Sequence, residues 1–227
     1  MTSDGGKPQD GPVMSELSRL LAAYGGADVE RHGLVWRFDA RLADLVRTTR
    51  EPMIGQMRLT WWHEALTDGS GAKGRGEPLL ADLRAAGLAP AGEGSGLLAM
   101  IDGWEALLAD PVDDDALCDY ARARGGGLFR ALAKQDDIDA SLIAAGAVWA
   151  LWDLSGHVGD EILARRAIEL AVEEMRGVSA LRWPVHWRAH RIAYGIARSD
   201  VAARRVAPAT LTPSLYGRLL RVALIGR

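Results

Sequence analysis

Four side chains that could bind a metal ion stand close together near the middle of the sequence. They are Asp153, His157, Asp160 and Glu161. On one continuous α-helix they would fall within about 100° of arc. Such a face could bind a cation, and the imidazole of His157 favours a softer metal than Mg²⁺. The alternative is a solvated polar face with an ordinary i, i+4 hydrogen bond between Asp153 and His157. Two glycines weaken a helix here, so the pattern predicts no definite metal site.

A pair of histidines, His186 and His190, also has the i, i+4 spacing that places two imidazoles on one helix face. The helix of a zinc protease carries an additional glutamate, which this segment lacks. Arg188 and Arg191 lie beside the pair, and their positive charge opposes a bound cation. We therefore expect a surface or interface role for the two histidines, and the sequence leaves that role open.

The elements that position these residues are predicted to be helices. The chain contains no Asn-Gly hairpin turn and no run of alternating β-branched residues, so the predicted fold class is all-α. The length of 227 residues is enough for one sizeable core, and we assign residues 14–227 to a single domain. Residues 1–13 are polar and rich in glycine and proline, which predicts a disordered tail rather than a signal peptide.

The composition excludes several classes of protein. A net charge of −3 and a pI of about 6.0 argue against a nucleic-acid partner. A single cysteine, Cys118, excludes an intrachain disulfide and a thiolate metal cluster. No apolar run approaches the ~20 residues needed to span a bilayer. We expect a cytoplasmic protein, with peripheral contact with the inner membrane as an open alternative.

The most distinctive stretch is residues 50–66, where Pro52 opens a predicted helix. Apolar residues at positions i, i+3, i+7 and i+11 form a stripe at the helical period, and they are Ile54, Met57, Trp61 and Ala65. We expect Met57, Trp61 and Ala65 to face inward and Trp62 to pack on a neighbouring helix, which makes this helix central to the fold. Arg58, at the edge of the stripe, is expected to pair with a carboxylate.

Residues 116–134 are predicted to form a helix that contains three consecutive glycines, Gly125 to Gly127. Each glycine inside a helix costs about 1 kcal/mol relative to alanine. The helix therefore either kinks or gains from the close approach of another backbone or a ligand. Trp149 and Trp152 in the following apolar segment are core residues by default, with the lining of a ligand cavity as the sharper alternative. The same two alternatives apply to Met57.

The stretch Glu51-Pro-Met-Ile-Gly-Gln-Met-Arg-Leu-Thr-Trp-Trp-His-Glu-Ala-Leu66 resembles the squalene/phytoene synthase family, especially its short, divergent members. The similarity runs from about Leu17 onward but includes few specific motifs. It implies an isoprenoid-synthase-type helical bundle around a central cavity. In the family, small residues that correspond to the Tyr120 segment line that cavity. The candidate lining residues are Met57, Gly125, Gly126, Trp149 and Trp152.

The resemblance also implies where diphosphate chemistry would lie. Active members hold Mg²⁺ through two Asp-x-x-x-Asp motifs on facing helices, since Mg²⁺ prefers oxygen ligands. At the first motif only Asp44 remains acidic, and Arg47 occupies the outer acidic position. At the second, His157 replaces the first aspartate. The implied degenerate site comprises Asp44, Asp153, His157, Asp160 and Glu161. No metal is predicted with this set, and Mg²⁺ is implied only for an active enzyme.

Three functions are compatible with this degenerate resemblance. The first is a binding or assembly protein that has lost diphosphate chemistry, as in a respiratory complex I assembly factor among the divergent members. The second is an active prenyltransferase with a rewired site or a partner subunit. The third is a carrier that holds an isoprenoid or carotenoid without reacting it. The lipid, any protein partner and the oligomeric state are left open.

Overall fold

The chain folds into a bundle of α-helices, as the sequence predicts. The computed structural model describes residues 14–134, 139–178 and 183–225, and no strand occurs in these ranges. The predicted tail at residues 1–13 lies outside them. In chain order the α-helices are α1 (Glu16–Ala23), α2 (Val29–Thr48), α3 (Pro52–Thr67), α4 (Pro78–Ala85), α5 (Gly96–Ala106), α6 (Asp114–Tyr120), α7 (Gly126–Ala133), α8 (Ala140–Ser155), α9 (Glu161–Glu174), α10 (Arg188–Ala202) and α11 (Pro213–Ile225).

Helix α8 lies at the centre of the bundle. It packs against α7, α9 and α10, and against a π-helical segment, Ala121–Gly125, that joins α6 to α7. Most of its residues are buried, including Trp149 and Trp152. Alanines and Gly146 occupy much of its surface, and small side chains let neighbouring helices approach closely on every side. The apolar run that predicted a helix here therefore forms the core of the fold.

The three glycines allow a close helix crossing. A Cβ atom on Gly125 would lie 2.2 Å from the carbonyl oxygen of Gly146, and one on Gly126 would lie 2.7 Å from Ile143. A Cβ on Gly127 would lie 2.6 Å from the carbonyl oxygen of Gly96 in α5. The helical chain thus passes through the glycines without ending, and the backbones of α5 and α8 and the side chain of Ile143 fill the space that added side chains would need.

Helix α3 is not the central helix that its aromatic residues predict. Its buried residues form one face: Gly55, Leu59, Trp62, Ala65 and Leu66. Met57 is 64% exposed and Ile54 is 40% exposed, so the prediction that Met57 faces inward is wrong. Apolar residues occur all round α3, and for that reason the helical period alone does not decide which set is buried. Ala65 and Trp62 are buried as predicted.

The two tryptophans of α3 have different environments. Trp62 is 3% exposed, and its ring meets Phe38 of α2 edge-on at a centroid distance of 5.5 Å. Trp61 is half-buried and packs edge-on against Trp62.

Arg58 is exposed and makes no ion pair within the described residues, so its predicted pairing with a carboxylate is wrong. Among the described residues, no helix is long and apolar enough to cross a membrane.

Candidate functional site

A cavity of about 700 Å³ lies among α1, α2, α5, α6 and α8 and reaches the start of α9. Its volume is typical of a small-molecule site. Much of its wall is apolar: Ala40, Ala43, Val46, Leu107, Val112, Leu154, Val158 and Leu163. Apart from Ser15 and Ser18, its polar residues fall into two groups. Asp39, Tyr120, Arg124 and Asp153 form one group, which we call the charged floor, and Asp44, Arg47 and His157 form the other, which we call the rim.

Arg124 is the centre of the charged floor and is 3% exposed. Its Nε donates to Asp39 Oδ1 at 2.9 Å, and its Nη2 donates to Asp39 Oδ2 at 2.7 Å. Nη2 also lies 2.9 Å from Asp153 Oδ2. A fourth interaction, from Nη1, reaches the Tyr120 hydroxyl oxygen. The guanidinium is thus held by two carboxylates and a phenol, an arrangement that satisfies a buried charge.

Aromatic rings enclose the same guanidinium. Its central carbon lies 4.5 Å from the ring centroid of Trp104 and 4.8 Å from that of Trp149, distances typical of cation–π contacts. The Nε1 of Trp104 donates to Asp39 Oδ1 at 2.9 Å. Burial lowers the pKa of Arg124, but Asp39, Tyr120 and Asp153 outweigh it and hold that pKa well above the usual value. Arg124 therefore stays charged, because its neighbours compensate for its removal from water.

Local structure explains how Arg124 reaches this position. It lies in the π-helical segment Ala121–Gly125, and π-helical turns are frequent at functional sites. The backbone there approaches α5 so closely that a Cβ on Gly103 of α5 would lie 2.3 Å from the backbone nitrogen of Arg124. Burial raises the pKa of Tyr120, so the phenol stays protonated. The charged floor therefore combines a neutral phenol with a charged guanidinium.

The rim consists of two residues of α2 and one residue that follows α8. Asp44 and Arg47 of α2 form an i, i+3 ion pair at 2.6 Å. His157 lies just beyond the end of α8, and its Nδ1 is 2.7 Å from the Asp153 carbonyl oxygen, which fits donation from a protonated Nδ1. The same nitrogen is 3.8 Å from Asp153 Oδ1. Asp44, Asp153 and His157 thus line one cavity.

The structure does not bring Asp160 and Glu161 to the cavity. Helix α8 ends at Ser155 with Gly156 as its C-cap, so the continuous helix behind the predicted four-residue arc does not exist. Asp160 instead caps α9 and accepts backbone hydrogen bonds at 2.7 and 3.2 Å. Glu161 is exposed and lies 3.8 Å from Arg165. The predicted arc on one helix is wrong, because α8 ends before His157 and a second helix, α9, begins at Glu161.

The predicted lining residues also lie elsewhere. Met57 projects into solvent on α3. Gly125 and Gly126 face the backbone and side chains of α8. Trp149 packs beneath Arg124, and Trp152 donates from Nε1 to Asp200 at 3.1 Å in the core. Core packing, the default expectation for the tryptophans, is what the structure shows.

Sequence reasoning missed Asp39, Tyr120 and Arg124 as cavity residues. One signal was available for Asp39, which stands between apolar residues on the buried face of α2. Another was Arg124 itself, an arginine directly before three glycines that pack against other helices. A charged residue in such a setting requires a buried partner. The identity of that partner, 85 positions away, is not visible in the sequence.

Within the described residues, no group of three or more histidine, cysteine, aspartate or glutamate side chains is placed to hold a metal ion. The cavity carboxylates are instead engaged by arginines: Asp44 by Arg47, and Asp39 and Asp153 by Arg124. Each of these ion pairs occupies at least one carboxylate oxygen that Mg²⁺ would need. The residues present therefore do not fit the magnesium cluster that the resemblance would imply for an active enzyme.

The histidine pair does not form a site. His186 is exposed, whereas His190 is completely buried, so the expected surface role is wrong for His190. Its Nε2 lies 3.0 Å from the Phe129 carbonyl oxygen, and its ring meets Phe129 edge-on at 5.1 Å. Burial lowers the pKa of His190 to about 3. His190 is thus a neutral core residue that ties α10 to α7.

Searches of family models, curated proteins and solved structures found no match to this chain.

Proposed function

We propose that this chain is a squalene/phytoene synthase-like protein that binds an isoprenoid-type lipid in the cavity without transferring a diphosphate. One observation carries the proposal: Arg124, the cation of the charged floor, is paired with both Asp39 and Asp153 and enclosed by tryptophan rings. Its positive charge is thus already balanced by two carboxylates, and only one of its five N–H groups, on Nη1, is left without a partner among the described residues. The apolar wall above it suits a hydrocarbon chain.

The charge of the cavity supports a ligand without negative charge. Three carboxylates and two guanidiniums line it, so its net charge is −1 when His157 is neutral. A diphosphate carries several negative charges, and it would enter against this field with no metal cluster to compensate. Loss of Asp44 and Asp153 to arginine pairing is therefore consistent with loss of the transfer reaction.

The polar end of the ligand is proposed to be a hydrogen-bond donor. Asp153 Oδ2 is paired with Arg124, whereas Oδ1 accepts no hydrogen bond from the described residues and lies 3.8 Å from His157 Nδ1. The Asp153 side chain is 20% exposed. A hydroxyl or amine at the end of an isoprenoid could donate to this oxygen, with an energy typical of a hydrogen bond to a charged group.

The test is the lipid content of the protein as purified. We expect organic extracts, analysed by mass spectrometry, to contain a prenyl alcohol, prenyl amine or another isoprenoid that is absent from a mock purification. A matched control is the Ala43→Phe variant, which fills part of the cavity wall and should carry less of the same species. Extracts with no isoprenoid, together with Mg²⁺-dependent release of pyrophosphate from farnesyl diphosphate, would contradict the proposal and favour the active enzyme.

A further inference from the structure

The outer face of α3 is an apolar surface with arginines at its edge. Met53 is 71% exposed, Met57 64% and Ile54 40%, and their spacing of i, i+1 and i+4 places them side by side on the helix. Arg50 precedes the helix and Arg58 follows Met57. We call these five residues the α3 patch. Exposed methionine and isoleucine next to one another indicate an interaction surface rather than scattered apolar residues.

The two arginines of the α3 patch are available to an external anion. Both are exposed, and neither forms an ion pair within residues 14–134, 139–178 and 183–225. Arg58 also lines a groove of about 340 Å³ between α2 and α3, together with the half-buried ring of Trp61. Other charges near the groove are balanced: Arg41 pairs with Glu77 at 3.2 Å, and Asp44 pairs with Arg47. Arg50 and Arg58 therefore give the α3 patch a positive charge, and Glu51 adds one negative charge at the start of the helix.

We propose that the α3 patch docks on the surface of a bilayer that contains anionic phospholipids. Apolar side chains with a tryptophan at the edge suit the boundary between acyl chains and headgroups, and arginines suit the phosphates above it. No described helix could span a bilayer, so the contact is interfacial. Asp44 lines both the groove and the cavity, which places the rim of the cavity next to the docking face. Docking requires no ligand in the cavity, so it can be tested independently of the proposed function.

The experiment is flotation of the full chain with vesicles of phosphatidylcholine alone or of phosphatidylcholine with phosphatidylglycerol. We expect binding to the anionic vesicles and a loss of binding at high salt. Each arginine near an anionic surface is worth roughly a factor of five, so Arg50→Gln/Arg58→Gln should weaken partition about 30-fold. Met53→Ser/Met57→Ser should weaken it at least tenfold.

Matched controls separate the α3 patch from general surface effects. Ile162→Ser removes a side chain that is 74% exposed on α9, and Arg165→Gln removes an exposed arginine of the same helix. Both should bind vesicles as the wild type does. The patch variants should keep the wild-type melting temperature, because the substituted side chains are exposed. Equal partition of the wild type to neutral and anionic vesicles would overturn the proposal. A second contradicting result has two parts: the wild type does not bind vesicles, and it forms a dimer in solution that Met53→Ser/Met57→Ser dissociates. That result would assign the α3 patch to a contact with a second copy of the chain.

Discussion

Replacing Arg124 with methionine is the sharpest perturbation of the charged floor. Methionine keeps much of the length and volume of the side chain but removes the guanidinium. Asp39 has a side chain that is 6% exposed, and it would lose two hydrogen bonds to Arg124 and keep one from Trp104. Breaking a buried ion pair from one side leaves an uncompensated charge and typically costs about 3–5 kcal/mol. For a chain of this size that loss lowers the melting temperature by roughly 6–20 °C.

Two further variants test whether this loss of stability arises from the unpaired buried charge. Asp39→Asn/Arg124→Met also removes the more deeply buried of the two carboxylates that Arg124 pairs with, so much of the lost stability should return, because replacing both partners of a buried pair is often nearly neutral. Arg122→Met lies two positions away, where the side chain is 64% exposed and pairs with Glu174 at 2.8 Å. A surface pair of this kind contributes about 0–1 kcal/mol, so Arg122→Met serves as the matched control.

The assay is equilibrium unfolding in urea at neutral pH, with the slope checked for each variant so that the free energies are comparable. The expected order of stability is wild type close to Arg122→Met, then Asp39→Asn/Arg124→Met, then Arg124→Met. The reasoning is refuted if Arg124→Met unfolds within about 1 kcal/mol of the wild type. It is also refuted if the double variant is as unstable as the sum of its single variants.

Three further predictions concern the core, the helix crossing and pH. Trp62→Ala should cost about 3–5 kcal/mol because the ring is buried, whereas Trp61→Ala, at a half-buried site, should cost clearly less; equal costs in urea unfolding would contradict the assigned packing. Gly125→Ala places a Cβ 2.2 Å from a carbonyl oxygen of α8 and should cost at least ~1–3 kcal/mol; its control, Gly33→Ala, meets no atom within 4 Å and should stabilise by up to about 1 kcal/mol. The pKa of His190 is lowered to about 3 from 6.5, so the unfolded chain takes up a proton first and stability falls as the pH drops from 6.5 toward 3. Between pH 7 and pH 5 the wild type should therefore lose more unfolding free energy than His190→Gln, and an equal loss would show that the imidazole does not contribute.

The helices were predictable from the sequence because proline, glycine and apolar periodicity mark most of their ends and faces. Pro52 and Pro213 stand at the first positions of α3 and α11. The apolar run at residues 140–155 forms the buried helix that its composition predicts. Local signals of this type depend on neighbouring residues, which the sequence displays directly.

The face of a helix was less predictable where apolar residues surround it. Helix α3 presents both Met57 and Leu59, which differ little in hydrophobicity, yet Leu59 is completely buried and Met57 is 64% exposed. The choice between them depends on α2 and α5, which pack against α3. A stripe drawn from the sequence alone could not include that information.

The candidate site was only partly predictable, because some of its residues are brought together by contacts between distant parts of the chain. The resemblance implies that Asp44, Asp153 and His157 belong to one site, and they line one cavity. Asp160 and Glu161 were misplaced because Gly156 ends α8 before them. Arg124 and Asp39 were missed because their pairing joins residues that are 85 positions apart, and no local pattern records such a contact.

The most direct test of the proposed function is a binding titration of farnesol against farnesyl diphosphate, with and without Mg²⁺. The protein should bind farnesol independently of Mg²⁺ and bind the diphosphate at least tenfold more weakly, a difference of about 1.4 kcal/mol. Ala43→Phe, in the cavity wall, should reduce farnesol binding, and Ala81→Phe, an exposed site on α4, should leave it unchanged. Tighter binding of farnesyl diphosphate that depends on Mg²⁺ would contradict the assignment of the charged floor as a site for a neutral, donor-bearing lipid.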